Sequence, residues 1–290
     1  MKYINLFLSL LMASFFTMDV ATAAEIKFGV MAPRGNLPAL KRWTEVGKYL
    51  ESETGSKVKI VPLKPNKAVK AASSGKVDYM LVNPVLTVLM QEKIGAIPMV
   101  TMKKKSGSQF AGVIISKKGS GITKAADLKG KKVMGFKFKR SAAAYVFQVK
   151  HMMDNGIDPH KDFAQFKEAK SQDDIVLAVK SGGFDAGFIK SGLLEVMEKE
   201  GKVSLADFEI IDQKSDSLSS VHTTSLYPEW YVSATSKADP ATNEKVKAAL
   251  MKLSGGDAAS KKAKIVGFVE PLNLDVLKAT LKALKLAPYN

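Results

Sequence analysis

SGKVDYMLVNP, residues 74–84, returns in altered form as SGGFDAGFIKSG, residues 181–192. The Ser-Gly pair and the aspartate that follows recur at a constant offset of 107 residues, so that Asp78 corresponds to Asp185. Each copy follows a helix-like run and then gives a short apolar strand and a small or polar turn. A single repetition does not make a solenoid, which needs several short periods. The pattern instead predicts two similar lobes, each containing one copy.

Strands and helices alternate on both sides of this repeat, which predicts an α/β fold with parallel strands. Two polar segments, 103–109 and 214–225, interrupt the alternation and predict an outward and a return crossing between the lobes. The expected division is a discontinuous lobe 1 from 25–107 plus 223–290, with 108–222 forming lobe 2. The C-terminal helices are expected to pack back on lobe 1.

The first residues have the composition of a secretory signal peptide. Lys2 supplies a positive start, Ile4–Phe16 is a short apolar run, and Ala21–Glu25 (ATAAE) offers small residues for cleavage. A membrane anchor is the alternative, but the apolar run is short for a bilayer span. We therefore expect residues 1–24 to be removed on export, and the mature protein to be periplasmic and not embedded in a membrane.

The chain has no cysteine, which excludes a disulfide scaffold, a thiolate metal site, a cysteine nucleophile and a lipid-bearing cysteine at the cleavage point. The formal net charge is +16. The export signal and the dispersed lysines argue against nucleic acid as the partner, whereas a basic surface attracts small anions. The chain has only three arginines, Arg34, Arg42 and Arg140. A rare loop arginine suits a bidentate contact to an oxyanion, although a plain surface role is the alternative.

Catalytic motifs are missing from the sequence. The three histidines, His151, His160 and His222, form neither an HExxH motif nor a pair at metal-ligand spacing. There is also no GxSxG, Walker A or GxGxxG motif. The sequence therefore predicts no enzyme, no cofactor and no metal site. His222 falls in the predicted return crossing, where a ligand contact is one interpretation.

Polar residues follow the predicted strands where open α/β sheets bind their ligands, at the carboxyl ends. Asn83 is the predicted cap of a helix whose first residue is Pro84. Arg140 and Ser141 begin a helix after VMGFKF, where free amides, the helix dipole, a hydroxyl and a guanidinium together suit an anion. The predicted ligand-binding residues are Arg34, Asn83, Arg140, Ser141, Lys190, Ser191, His222 and Thr223.

Five segments carry a family resemblance: KFGVMAPR (27–34), VDYMLVNP (77–84), DLKGKKV (127–133), FDAGFIKSGLLEVM (184–197) and HTTSLYPEWYVSA (222–234). In this order and spacing they resemble the phosphonate-binding-protein family of periplasmic solute-binding proteins of ABC transporters. LYPEW and VNP are most similar to the branch that also supplies sensor domains to histidine kinases such as the tetrathionate sensor. The resemblance covers roughly 25–289.

The resemblance implies a type II periplasmic binding fold that holds its ligand between two lobes. By this resemblance, phosphonate-binding members have a Ser/Thr-rich helix start at the place where this chain has RSAAAY. Here only Ser141 remains, beside Arg140. They also tend to have an acidic residue, suited to a ligand amine, near the position of Lys190. Both departures favour an anion without an amine, such as a phosphate-like, phosphite-like or sulfur oxyanion.

The sequence thus predicts an exported, non-enzymatic protein that captures a small anion for an ABC transporter. The alternative is a sensing partner of a separate membrane histidine kinase, because the fold does not separate transport from sensing. A periplasmic hydrolase that depends on His222 is a third hypothesis. Tyr227 and Trp230 are expected to shape the hinge.

Overall fold

The computed structural model describes residues 25–290, so the expected signal peptide lies outside the described residues. The strands are β1 (Ile26–Met31), β2 (Val58–Leu63), β3 (Tyr79–Val82), β4 (Ile97–Lys103), β5 (Gln109–Phe110), β6 (Gly112–Lys117), β7 (Lys132–Phe136), β8 (Gln165–Ala169), β9 (Ala186–Lys190), β10 (Phe208–Ile210), β11 (Tyr227–Pro228), β12 (Tyr231–Ala234) and β13 (Gly267–Val269). The helices are α1 (Asn36–Thr54), α2 (Ala68–Ser73), α3 (Pro84–Ile94), α4 (Phe147–Asp154), α5 (Pro159–Asp162), α6 (Gln172–Lys180), α7 (Leu193–Lys199), α8 (Pro240–Lys252), α9 (Ala258–Ala263) and α10 (Asp275–Ala283). Within 25–290 no helix is long and apolar enough to cross a bilayer.

Two sheets define two lobes and confirm the predicted α/β architecture. Lobe 1 is built on a six-stranded sheet in the order β13-β4-β12-β3-β1-β2, and lobe 2 on a five-stranded sheet in the order β10-β6-β9-β7-β8. In lobe 1, β1 pairs in parallel with β2 and β3. In lobe 2, β7 pairs in parallel with β8 and β9. The remaining strands of each sheet join antiparallel, so both lobes have the same order around their parallel core.

The sequence repeat occupies equivalent places in the two sheets. The Asp78 carboxylate accepts from the Lys27 N–H at 2.7 Å, while the Asp78 N–H donates to the Lys27 carbonyl at 2.9 Å. Asp185 makes the same two bonds with Lys132, at 2.7 and 2.9 Å. Each aspartate thus ties the strand of the repeat to the first parallel strand of its lobe. This reciprocal bond gives the aspartate the same structural role in both copies.

Helix starts follow from local capping chemistry. The Asn83 Oδ1 accepts from the Leu86 N–H at 3.0 Å, and Pro84 occupies the first helical position, where no amide hydrogen is needed. In lobe 2, Ser171 and Asp174 form a reciprocal capping box at the start of α6. These caps fix where α3 and α6 begin, and both helix starts face the space between the lobes through the contacts described below.

Two short antiparallel strands carry the chain between the lobes. In this ribbon β5 pairs with β11, and the Glu229 N–H extends it by donating to the Ser108 carbonyl at 2.8 Å. The Tyr227 ring stacks on Phe147 of lobe 2 with centroids 3.8 Å apart. Thr223 and Thr224 still donate backbone N–H groups to Gly112 of lobe 2. We propose on these contacts that the second lobe boundary lies near Tyr227, a few residues after the division expected at 222–223.

Helix α10 packs across the side of the molecule where both lobes meet. Leu277 and Leu281 belong to a buried cluster that includes Val88 of α3 and Phe147 of α4. Lys278 also pairs with Glu92 of α3 at 2.9 Å. The C-terminal segment therefore contacts lobe 2 as well as lobe 1.

Candidate functional site

Two hydrogen bonds join the lobes directly across the gap between them. The Arg34 Nη2, in the loop after β1, donates to the Asp173 Oδ1 of α6 at 2.6 Å. The Asn83 Nδ2, at the start of α3, donates to the Arg140 carbonyl at 3.2 Å. Each bond links a residue at a strand end of lobe 1 to a residue of lobe 2. The two lobes are therefore in direct contact across the gap.

A cluster of positive charge lies where the crossing ribbon meets this gap. Its members, which we call the cation cluster, are Arg34, Arg42, Lys104 and Lys190. One carboxylate, Glu229, lies among them and is only 1% exposed. The Lys104 ammonium donates to the Glu229 Oε1 at 2.5 Å. Lys104 and Glu229 come from the outward and the return crossing segments, so their ion pair joins the two.

Lys190 has no such partner. Its backbone N–H donates to the Gln172 Oε1 at 2.9 Å, but its side chain makes no hydrogen bond or ion pair with any residue from 25 to 290. The Lys104 charge and burial lower the pKa of Lys190 to about 7, although Glu229 acts in the opposite direction. The Lys190 ammonium therefore lacks a paired negative charge among the described residues.

Arg42 approaches the cluster from α1. The Arg42 Nε donates to the Ala263 carbonyl at 2.7 Å, and the guanidinium lies 4.9 Å from the centroid of the Trp43 ring. Burial lowers the pKa of Arg42, and the Glu229 charge partly offsets this effect. These contacts fix the side chain while leaving the other guanidinium N–H groups free of protein acceptors among the described residues.

The predicted helix start at Ser141 begins with a π turn at Ala142–Val146. The Val146 N–H reaches the Ser141 carbonyl at 3.0 Å, five residues back, and Ala144 leaves helical geometry with φ −122° and ψ 18°. The Ser141 Oγ accepts from the Ala144 N–H at 3.3 Å and keeps its own proton for another acceptor. Single π turns are frequent at functional sites.

Gln148 fastens this turn to the neighbouring strand. Its buried side-chain amide Nε2 donates to the carbonyls of Ala143, in the π turn, and of Ile189, at 2.7 Å in β9. A Cβ at Gly112 would lie 2.5 Å from this nitrogen, so any larger residue there would displace the Gln148 amide from these bonds. Since Ile189 precedes Lys190, Gln148 sets the spacing between two predicted site segments.

Arg140 is an exposed residue. It borders a groove of about 430 Å³ between the loop at 138–140 and the α2–α3 face of lobe 1, where Val69 and Leu89 provide apolar walls. Lys137 and Lys139 in this loop have φ values of 44° and 65°, in the left-handed region. The loop thus holds an unusual backbone shape that brings the Arg140 carbonyl to Asn83.

Ser191, His222 and Thr223 bond to protein groups. The Ser191 Oγ accepts from the Ala111 N–H at 3.1 Å and, like the Ser141 Oγ, keeps its own proton for another acceptor. The buried His222 ring contacts the Asp216 carboxylate at 3.1 Å and the Ser220 carbonyl at 3.0 Å. The Thr223 hydroxyl donates to the Ile211 carbonyl at 2.7 Å and accepts from the Ile114 N–H at 3.0 Å. These bonds fasten the return segment and β9 to β6.

The predicted residues therefore fall into three sets. Arg34 and Lys190 share the cation cluster, Asn83 contacts Arg140 across the gap beside Ser141, and the remaining three residues bond within lobe 2 or to the ribbon. Sequence reasoning missed Lys104 and Glu229 and left Arg42 without a role. The available signals were the rarity of arginine and the single carboxylate within the apolar run LYPEWYV. Within 25–290 no group of three or more His, Asp or Glu side chains is placed to hold a metal ion.

Comparison with known proteins gives a family match over most of the chain. The model of the family described as ABC transporter, phosphonate, periplasmic substrate-binding protein matches residues 29–276. The tetrathionate sensor histidine kinase TtrS of Salmonella typhimurium is 26% identical over 236 residues, which is 79% of this chain. That stretch is 40% of TtrS, so the chain spans less than half of this curated relative.

Solved structures share the fold. PhnD1 from Prochlorococcus marinus, in complex with methylphosphonate, superposes with a TM-score of 0.72 at 15% identity, covering 90% of this chain and 98% of PhnD1. A Xanthomonas citri protein bound to ATP gives a TM-score of 0.75 at 16% identity, covering 91% of this chain and 98% of that protein. These matches agree with the two lobes and the gap between them.

Proposed function

Because the chain belongs to the phosphonate-binding family of periplasmic ABC-transporter substrate-binding proteins, we propose that it closes on a small oxyanion and delivers it to a transporter. Candidate ligands are phosphonates, phosphite, phosphate and sulfur oxyanions. Binding between two lobes lets the ligand stabilise the closed form by contacts that neither lobe offers alone. The partner would then be a permease that recognises the closed form.

The observation that carries this proposal is the Lys190 side chain, which makes no hydrogen bond or ion pair with residues 25–290 and lies on β9 opposite Gly112, next to the crossing ribbon. A partly buried charge without a counter-charge is unfavourable, and proteins pair such charges or use them to bind ions. Glu229 carries one charge and is bonded to Lys104, so it only partly offsets the charges of Lys190 and Arg42. An anion in the gap would supply the missing charge.

We propose Lys190, Lys104, Arg42 and Arg34 as the cationic contacts of the ligand. The free hydroxyl proton of Ser141 would add a hydrogen bond from lobe 2. The existing bonds of His222 and Thr223 support a structural role for both residues. The hydrolase hypothesis depended on His222, so a structural role for His222 removes its support. We propose that the protein is not an enzyme.

A thermal-shift panel on the purified mature protein tests the proposal. The panel contains phosphate, phosphite, methylphosphonate, sulfate, thiosulfate and tetrathionate. A ligand present at 100 times its Kd should add about 2.7 kcal/mol to the free energy of unfolding. Lys190→Met should remove most of this shift, whereas Lys180→Met, in a surface ion pair with Asp207, should retain it. If no anion raises the melting temperature, the proposal is wrong.

The TtrS similarity supports a second candidate, ligand sensing for a membrane histidine kinase. In that case the closed form would be recognised by a kinase and not by a permease. A deletion strain separates the two: loss of uptake of the labelled ligand supports transport, while intact uptake with a lost transcriptional response to the ligand supports sensing.

We also propose export to the periplasm with removal of residues 1–24. Mass spectrometry of the periplasmic fraction should find a mature N-terminus at or next to Glu25. An unprocessed chain in the cytoplasmic fraction would contradict this.

A further inference from the structure

We infer that the cleft selects doubly charged oxyanions over singly charged ones of the same shape, and that Lys190 is the residue that sets this preference. This inference rests on the proposed function and narrows its substrate class. It concerns how many charges the ligand carries, and leaves open whether phosphorus or sulfur carries them.

The charged residues around the gap support a ligand with two negative charges. Arg34 is bonded to Asp173 at 2.6 Å and so is matched by a carboxylate. The inner cations, Lys104, Lys190 and Arg42, have one carboxylate among them, Glu229. The inner group therefore has an excess of two positive charges, and counting Arg34 with Asp173 does not change this excess.

Burial strengthens the interaction of this excess positive charge with a ligand. Lys190 and Arg42, which carry the excess, are partly buried, and they lie near a Glu229 carboxylate that is 1% exposed. Charges with little access to water and salt interact more strongly than charges on an open surface. A ligand with one charge would leave one cation of the group unmatched, whereas a ligand with two charges would match both. A ligand ammonium would add to the excess.

Lys190 pairs with Gly112 at the start of β6, directly after the ribbon strand β5, and charged groups of several elements act on it there. Lys104 and Glu229 lie on the crossing segments, Arg42 on α1 and Arg34 in the loop after β1. Three of these four are cations, and together with burial they hold the pKa of Lys190 at about 7. A dianion in contact with Lys190 would raise this pKa again, so binding would include uptake of a proton near neutral pH. The preference should therefore be strongest below pH 7, where Lys190 carries its charge.

Permanently charged probes test the inference without changing their own protonation. Three two-carbon sulfonates suit it: 1,2-ethanedisulfonate has two negative charges, isethionate has one, and taurine adds an ammonium and is neutral overall. Sulfate and perchlorate form a second pair with a common tetrahedral shape and two charges against one. Isothermal titration at pH 6 measures all five with the wild-type protein.

The dianion of each pair should bind at least about tenfold more tightly than its monoanion, which corresponds to about 1.4 kcal/mol. Taurine should bind more weakly than isethionate. Lys190→Met should bring each pair within about threefold, while Lys180→Met should retain the wild-type ratio. Circular dichroism and the melting temperature establish that the variants fold, and Lys190→Gln is a second test of the same charge.

Equal binding of the two members of each pair overturns the inference but leaves the proposed function intact. A ligand of the earlier panel that has a single charge and binds more tightly than every dianion overturns it as well. If no anion of either series binds, the proposed function itself fails.

Discussion

The Lys104 ammonium lies 2.5 Å from the Glu229 carboxylate, and this ion pair joins the two chain segments that cross between the lobes. The Glu229 charge also opposes the lowering of the Lys190 pKa by the neighbouring cations and by burial. The same pair thus belongs to the hinge and to the candidate anion site. Its removal should affect both stability and binding.

Glu229→Gln should lower the free energy of unfolding by about 1–3 kcal/mol, less than the loss for a fully buried pair because Lys104 is partly exposed. The variant should lose less stability at saturating anion, since the ligand then neutralises part of the cluster. Urea unfolding with and without ligand measures both effects. Glu209→Gln, which breaks the more exposed Lys118–Glu209 pair, is the matched control and should change stability by less than about 1 kcal/mol. A Glu229 variant as stable as this control would contradict the assigned role.

Asp173→Asn should shift the lobes towards the open form. The Arg34–Asp173 pair is partly exposed, and such pairs contribute about 0.2–1 kcal/mol, so ligand affinity should fall by about 1.5- to 5-fold. The difference from wild type should shrink at high salt, because salt screens exposed charges. Titration calorimetry at two salt concentrations measures this. Asp207→Asn removes a comparable pair within lobe 2, to Lys180, and should leave affinity unchanged.

Without ligand, stability should depend on pH through Lys190. Its pKa is about 7 in the folded protein and ordinarily 10.5, so between these values the unfolded chain binds more protons than the folded chain. The contribution of Lys190 to stability therefore rises with pH across this window and is least favourable below pH 7. The wild-type protein should gain stability relative to Lys190→Met as pH increases from 7 to 10. A constant difference between the two proteins over this range would show that Lys190 titrates normally.

Gln148→Met should destabilise lobe 2 by about 2–4 kcal/mol, because the carbonyls of Ala143 and Ile189 would lose a buried donor. Loss of this donor should also loosen the π turn relative to β9 and weaken anion binding. Chemical denaturation and calorimetry measure the two effects. Gln91→Met is a suitable control, since the Gln91 side-chain carbonyl has no hydrogen-bond partner in the described part of the chain.

Local patterns were sufficient to predict much of the fold. The repeat around Asp78 and Asp185 indicated two similar lobes, because the same backbone bond is needed wherever a strand enters the sheet beside a first parallel strand. Asn83 was recognisable as a helix cap from the Asn-Pro pair alone. The Asn83 cap depends on residues close in sequence, and the two aspartates were visible through their repetition, although their bonds reach Lys27 and Lys132 far along the chain.

The cation cluster could not be predicted in the same way. Lys104 and Glu229 are 125 residues apart, and nothing in the local sequence distinguishes Lys104 from its lysine neighbours. The π turn was also hidden, since RSAAAY favours an ordinary helix and the bond from Gln148 to the Ile189 carbonyl, 41 residues away, depends on tertiary packing. The left-handed backbone of Lys139 was equally hidden, because lysine rarely adopts that conformation.

The Tyr227 ring stacks on Phe147 of lobe 2, and the Tyr231 hydroxyl donates to the Leu272 carbonyl on the lobe 1 side. Only three residues separate them, and the ring of Pro228 freezes its own φ angle. On the return strand, the change of lobe is therefore completed within Pro228, Glu229 and Trp230, where the Glu229 N–H and the Trp230 carbonyl bond to Ser108 and Met102. The carboxylate that we propose as the counter-charge of the anion site lies in this short connection, so a change in its charge would act directly on the link between the lobes.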